Sequence, residues 1–130
     1  MSFDVDDLPA DVRAFLTERH LATLTTLRAD GSPHVVPVGF TFEPATRLAR
    51  VITSGPSVKA RNAGRDGAIA ALCQVERARW LTLSGPIRVD GNPEVVADAV
   101  ERYAGRYRQP RVNPLRVALI MRVDLILGHV

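Results

Sequence analysis

Apolar side chains recur at every second position over long stretches of this chain, the spacing that sets one face of a strand on a core and the other toward water. Leu115–Leu127 shows it best, with Val117, Leu119, Met121, Val123 and Leu125 alternating against their neighbours. Pro33–Glu43 alternates likewise, with Val36, Val38, Phe40 and Phe42 on one face. Before it come the Leu- and Thr-rich segment His20–Arg28 and the turn signal Ala29-Asp30-Gly31-Ser32; after it, Glu43-Pro44-Ala45-Thr46 leads into Leu48–Ser54. These three strands are expected to form an antiparallel meander. Ala68–Val75 and Arg79–Val89 add two more strands across Glu76-Arg77-Ala78. Within the second, Gly85-Pro86 predicts a bulge or sharp bend, because proline has no N–H for a central ladder.

Three segments carry helical spacing instead. In Pro9–Leu16, apolar Val12, Phe15 and Leu16 share a face with Leu8, Pro9 suits the first helical position and Asp7 the cap. Ser57–Arg65 is helical by composition and closes at Asp66-Gly67. Asn92-Pro93 opens a helix over Pro93–Arg108 whose stripe of Val96, Ala99, Val100, Tyr103 and Tyr107 is accounted for by core packing alone. Six strands in 130 residues bury their apolar faces only by curling closed. The expectation is a mainly β fold with peripheral helices, a six-stranded antiparallel barrel forming a single domain over residues 1–130.

Composition narrows the function classes. A 46% apolar and 24% charged chain is that of an ordinary globular protein, and from its acidic N-terminus no export signal is expected. No apolar run approaches the roughly 20 residues that span a bilayer, so the cytoplasm is the expected compartment. The single Cys73 cannot form an internal disulfide and suits a small buried core position. The net charge of +3 is dispersed along the chain, with only a loose cluster at Arg106–Arg111, which argues against nucleic acid and for a small anionic ligand.

One lysine, Lys59, stands against sixteen arginines. It lies in Ser57-Val58-Lys59-Ala60-Arg61-Asn62, just past a strand and the Ser54-Gly55-Pro56 turn, where outward-pointing amides and a compact ammonium would suit a phosphate. A survivor of arginine-rich composition would look the same. The usual catalytic constellations are missing: His20, His34 and His129 are scattered, and neither a metal-ligand spacing nor a nucleophile elbow exists. An organic cofactor that carries the reaction fits this pattern, and so does a binder without activity. Pro37, in the middle of its strand, implies either a ladder gap whose amides could meet a flat ring or simply an edge strand. Trp80 beside Arg79 is either core or a ring-stacking residue.

The run from His20 through Asp30-Gly31-Ser32-Pro33-His34 to Val38 resembles the opening hairpin of the pyridoxamine-phosphate-oxidase-like split β-barrel proteins, and within them the actinobacterial flavin and deazaflavin oxidoreductases. Ser57-x-Lys59-x-x-Asn62 is similar to that family's cofactor phosphate motif, and Gln74-Val75-x-x-Ala78-Arg79-Trp80-Leu81 with Arg102-Tyr103-x-x-Arg106-Tyr107 extends the likeness to roughly residues 12–128. The subgroup it most resembles is the coenzyme F420-dependent biliverdin reductases. The resemblance implies a homodimer with cofactor sites at the subunit interface. It implies Lys59 and Asn62 at the cofactor phosphate with Ser54 and Ala60 nearby, and the backbone of His34, Val35, Val36, Pro37 and Val38 along the ring edge. Gln74 and Trp80 would complete the site, and Arg77 and Arg79 would face the cofactor's glutamate tail or a tetrapyrrole propionate. The implied reaction is hydride transfer from reduced F420 to a conjugated acceptor, biliverdin to bilirubin. Reduction of a quinone or other unsaturated compound with FMN or F420, or a non-catalytic flavin- or deazaflavin-binding role, stands as the alternative. The chain lacks the basic substrate-end signature that the pyridoxamine-phosphate oxidases carry near the C-terminus, which argues against vitamin B6 oxidation.

Overall fold

The computed structural model describes all residues, 1–130. Its elements run β1 (Ser2–Phe3), α1 (Ala10–Thr17), β2 (Ala22–Leu27), β3 (Pro33–Val38), β4 (Thr41–Glu43), β5 (Leu48–Ser54), α2 (Val58–Ala63), β6 (Ile69–Glu76), β7 (Arg79–Asp90), α3 (Pro93–Arg106), β8 (Arg116–Arg122) and β9 (Leu125–His129). Every strand pairing is antiparallel. The hydrogen-bonded order is β3-β2-β6-β7-β8-β5-β4, with β9 beside β7 and β1 beside β9. Nine strands therefore stand where six are expected, and the hydrogen-bonded path is open between β3 and β4.

The extra strands come from local interruptions. Pro33–Glu43 divides at Gly39-Phe40: its first half pairs with β2 and its second with β5, so both antiparallel pairings of the expected meander form, but on separate halves of a broken middle strand. The cause is α3, which supplies the partners a neighbouring strand would. The Tyr107 hydroxyl accepts from the Phe40 N–H at 3.1 Å, and the Arg106 guanidinium donates to the Phe40 carbonyl at 2.6 Å. Leu115–Leu127 likewise splits at Val123-Asp124, whose N–H groups donate to the Arg47 and Ser84 carbonyls. β1 is a short addition along β9.

Gly85-Pro86 is the bend the sequence implies. Before it, Trp80–Ser84 pairs with both β6 and β9; after it, Ile87–Asp90 pairs with β8. Only glycine fits there, since a Cβ at Gly85 would overlap the Arg122 carbonyl.

Inward residues of both halves meet in one core of 22 side chains, including Leu24, Phe40, Leu72, Leu81, Leu83, Leu119 and Ile126. α1 lays Val12, Phe15 and Leu16 onto it. Burying Phe15 completely contributes roughly 1.5–3 kcal/mol. Two helical details differ from expectation. Pro9 occupies the cap itself, outside the helix, and Asp7 instead closes a turn by donating its N–H to the Asp4 carbonyl. α3 stops at Arg106, and of its expected stripe only Ala99 is fully buried, against Ala118 and Ile120, because the helix lies over the outside of β5 and β8. Cys73 is half-buried on the outer sheet face and not in the core. No helix is long and apolar enough to cross a membrane.

Candidate active site

A cleft of about 360 Å³ opens where β3 and β5 end and α2 begins. One wall is Pro37, Val38 and Gly39; the floor is Ile52, Thr53 and Ser54; Lys59 closes the α2 side. The opposite wall comes from further along the chain, with Tyr103 of α3, then Pro110 and Asn113, then Arg116 at the start of β8. Two cations line this space and no carboxylate does.

Local chemistry holds each part. Ser57 caps α2, its hydroxyl accepting the Ala60 N–H at 3.2 Å and contacting the Thr53 hydroxyl at 3.2 Å. That cap uses up one of the amides the sequence reading offers to an anion, and α2 has only six residues, so the charge of the corner is chiefly the Lys59 ammonium. Lys59 makes no ion pair within the chain. The loop after α3 is pinned over the floor by Asn113, whose Nδ2 donates to the Ser54 hydroxyl at 2.8 Å, and by the Gly55 N–H on the Leu115 carbonyl. Arg116 donates to the Arg111 carbonyl at 2.6 Å, which holds its guanidinium against that loop.

The tyrosine wall is fixed from behind. Tyr103 and Tyr107 rings stand 4.9 Å apart, and the Tyr107 hydroxyl donates to the His20 carbonyl at 2.6 Å. Burial pushes the Tyr107 phenol up from its ordinary pKa, so it stays a donor. Gly39 leaves room for both rings: a Cβ there would lie 2.8 Å from Tyr103 and 3.0 Å from Tyr107. The acids of this end of the molecule gather away from the cleft. Glu43 meets Arg50 and Arg102 at 3.1 and 3.2 Å, and the Thr46 hydroxyl followed by those guanidiniums holds its carboxyl below the ordinary range against the cost of burial.

β3 is an edge strand, and this settles the meaning of Pro37. Arg28 donates to the Ser32 carbonyl, and alternation from that bond turns the peptide groups of His34 and Val36 toward β2. Pro33, Val35 and Pro37 then face the free edge, where a missing N–H interrupts nothing. The ladder runs unbroken through Pro37 opposite Thr23.

Of the residues singled out from sequence, Pro37, Val38, Ser54 and Lys59 meet in the cleft, with Ala60 buried just beneath. Val35 turns to the outer face, and Val36 packs on the core. The others lie elsewhere. Asn62 is 3% exposed and ties α2 to β2 through Thr26 at 3.1 Å. His34 sits opposite Thr26 with a buried, unpartnered Nδ1. Gln74 is fully buried, its amide nitrogen donating to the Phe15 carbonyl at 2.8 Å and its oxygen accepting from Arg106 at 2.6 Å. Arg79 pairs with Glu18 and lies over the Phe15 ring, Arg77 projects from a hairpin, and Trp80 lies on the outer sheet face. Tyr103, Asn113 and Arg116 were not foreseen as site residues. Tyr103 belongs to the expected helical stripe, while Asn113 lies within, and Arg116 just after, the proline-bounded segment Gln109–Pro114, which carries no recognisable motif.

Residues 8–129 match the family described as pyridoxamine 5'-phosphate oxidase. The chain belongs to that family. Among curated relatives, an F420H(2)-dependent biliverdin reductase of Mycobacterium tuberculosis (strain CDC 1551 / Oshkosh) is 58% identical over 121 residues, covering 93% of this chain and 88% of the relative. Solved structures of the same fold include one titled F420 reductase, with a TM-score of 0.74, 21% identity, and coverage of 92% of this chain and 98% of that one. General stress protein 26 from Bacillus anthracis superposes with a TM-score of 0.70 at 16% identity, covering 90% and 89%. At those identities the structural neighbours establish only the pyridoxamine 5'-phosphate oxidase fold for this chain.

Proposed function

We propose that this protein is a reductase that passes hydride from reduced coenzyme F420 to biliverdin, forming bilirubin. The observation that carries the reading is the cleft with two cations and no acid, in a chain 58% identical to a reductase named for both compounds. The residues present fit a phosphorylated deazaflavin. Lys59 and Arg116 would hold the phosphate, with the Ser54 and Thr53 hydroxyls beside them. The free edge of β3 at Val35 and Pro37 would meet the ring's polar rim, and Tyr103 would cover a ring face. When bound, the reduced deazaflavin supplies a hydride from its central carbon. The chain's part would be to hold that carbon against the acceptor and keep water out. No carboxylate lines the cleft, and the proton that follows hydride would come from solvent or a bound water. The same corner would hold FMN phosphate, which a yellow spectrum of the purified protein would reveal.

The finer architecture belongs to the same proposal. The two ends of the sheet, β3 and β4, are consecutive in the chain, and their continuity across Gly39-Phe40 supports a closed split barrel. The outer face of β3, β2, β6, β7 and β9 supports a homodimer. Its cross-strand rows Pro37-Thr23-Cys73-Thr82-Leu127 and Val35-Thr25-Ala71-Ser84-Leu125 contain no charged residue. Val35, Ile69 and Val75 are more than half exposed on that face, and Trp80 stands among them. One free cysteine and no disulfide accord with a cytoplasmic location.

Two measurements test the proposal. Anaerobic mixing with reduced F420 and biliverdin should produce bilirubin, and no turnover alongside normal F420 binding would reject the acceptor. In sedimentation, the 14.2 kDa chain should run as a dimer at micromolar concentration and Ala71→Asp, at the centre of the uncharged face, as a monomer. A wild-type monomer at tens of micromolar would reject the interface.

A further inference from the structure

A second hollow of about 280 Å³ lies past Tyr103, walled by Arg19 and Leu21 from the α1–β2 connection and by Tyr107 and Arg108 at the end of α3. Tyr103 lines both this hollow and the cleft, so the two spaces adjoin at that residue. Most guanidiniums of the chain already have partners: Arg50 and Arg102 bond Glu43, Arg79 bonds Glu18, Arg88 bonds Asp90, and Arg106 bonds main-chain carbonyls. Arg19 and Arg108 have none, and no acid lines the hollow. The nearest acid in sequence to Arg19 is Glu18, and its carboxylate is already engaged by His20 at 2.9 Å and Arg79 at 3.2 Å. Behind the wall, the Tyr107 hydroxyl is fixed by the His20 carbonyl, leaving Tyr103 the unanchored phenol between two pairs of cations.

The geometry points to this hollow as a carboxylate subsite: we infer that Arg19 and Arg108 take the carboxylates of an anionic ligand that extends out of the cleft past Tyr103. A guanidinium presents its donors as a planar fork that matches a carboxylate, and two unpaired forks facing one space suit a group with more than one acid. The role assigned from sequence to Arg77 and Arg79 passes to these residues, since Arg79 is spent on Glu18 and Arg77 projects from the hairpin with its side chain 93% exposed. The inference rests on the deazaflavin reading above. Within it, the carboxylates belong either to the cofactor's glutamate tail or to the acceptor's propionates, which share the recognising chemistry.

The experiment uses full-length protein and the double variant Arg19→Ala/Arg108→Ala. Both side chains are exposed and unbonded, so thermal melting should be unchanged. Oxidised F420 is titrated by fluorescence, and so is the same deazaflavin phosphate lacking its tail; separately, KM is compared for biliverdin and its dimethyl ester. If the tail is the ligand, the variant weakens F420 binding about tenfold and leaves the tail-free compound unaffected, because two solvent-exposed ion pairs are lost. If the acceptor is the ligand, KM for biliverdin rises about tenfold, the ester is indifferent and cofactor affinity is unchanged. Wild-type affinity for F420 with no effect of the variant on either carboxylate ligand overturns the subsite while sparing the cofactor cleft. Wild-type protein that binds neither deazaflavin overturns both.

Discussion

Arg106→Ala should lower the melting temperature by roughly 10 °C, the equivalent of about 3 kcal/mol in a domain of this size. Arg106 is the node where four elements meet. Its guanidinium donates to the Glu18 carbonyl at the end of α1 (2.8 Å), to the Phe40 carbonyl at the β3–β4 break (2.6 Å) and to Gln74 Oε1 on β6 (2.6 Å). It also lies 4.8 Å from the centre of the Phe40 ring. Burial draws its pKa down, opposed by Tyr107 and Glu18, yet an arginine stays charged under any ordinary condition. Truncation leaves the fully buried Gln74 oxygen without a donor, and an unsatisfied buried acceptor costs about 1–3 kcal/mol alone. In a Gln74→Leu background the further loss on Arg106→Ala should be smaller, since the Gln74 oxygen is no longer there to be orphaned. A change under about 3 °C in Arg106→Ala, read by calorimetry, would show that the break at Gly39-Phe40 is held by other means.

Lys59→Ala is expected to weaken F420 binding about thirtyfold while leaving the melting temperature within a degree or two. A charge-assisted contact to a phosphate is worth roughly 1.5–3 kcal/mol when its surroundings are partly dry. Lys59 bonds nothing within the protein, so folding has little to lose. Lys59→Arg should restore part of the affinity, as a planar fork replaces a point charge. Wild-type affinity should fall with added salt more steeply than that of Lys59→Ala, because the variant has one charge fewer to screen. Equal dissociation constants for wild type and Lys59→Ala in a fluorescence titration would remove the phosphate corner from this site.

What the sequence alone determined about this protein is whatever short-range chemistry decides. The turn at Asp30-Gly31 is written locally: Gly31 adopts φ 86 and Asp30 bonds the Ser32 N–H at 2.9 Å. So is the bend at Gly85-Pro86, and so are the alternation that marks β2, β5, β6, β7 and β8 and the place of Lys59 where a strand hands over to a helix. Which peptide groups of Pro33–Glu43 would find a strand, and which an arginine and a tyrosine some 66 residues away, is not a local property. Alternation predicts a face, never a partner.

The same holds for the site. Asn62 and Gln74 have the polar side chains of ligand-binding residues, but packing closes over them and spends their hydrogen bonds on Thr26, Phe15 and Arg106. Asn113 and Arg116 have no motif, yet the pairing of β5 with β8 places Arg116 opposite Ser54 and beside the only lysine. Residue type and spacing located the charge at Lys59. The fold alone decided what surrounds that charge, because long-range register and side-chain direction are settled by core burial and not by the local chain.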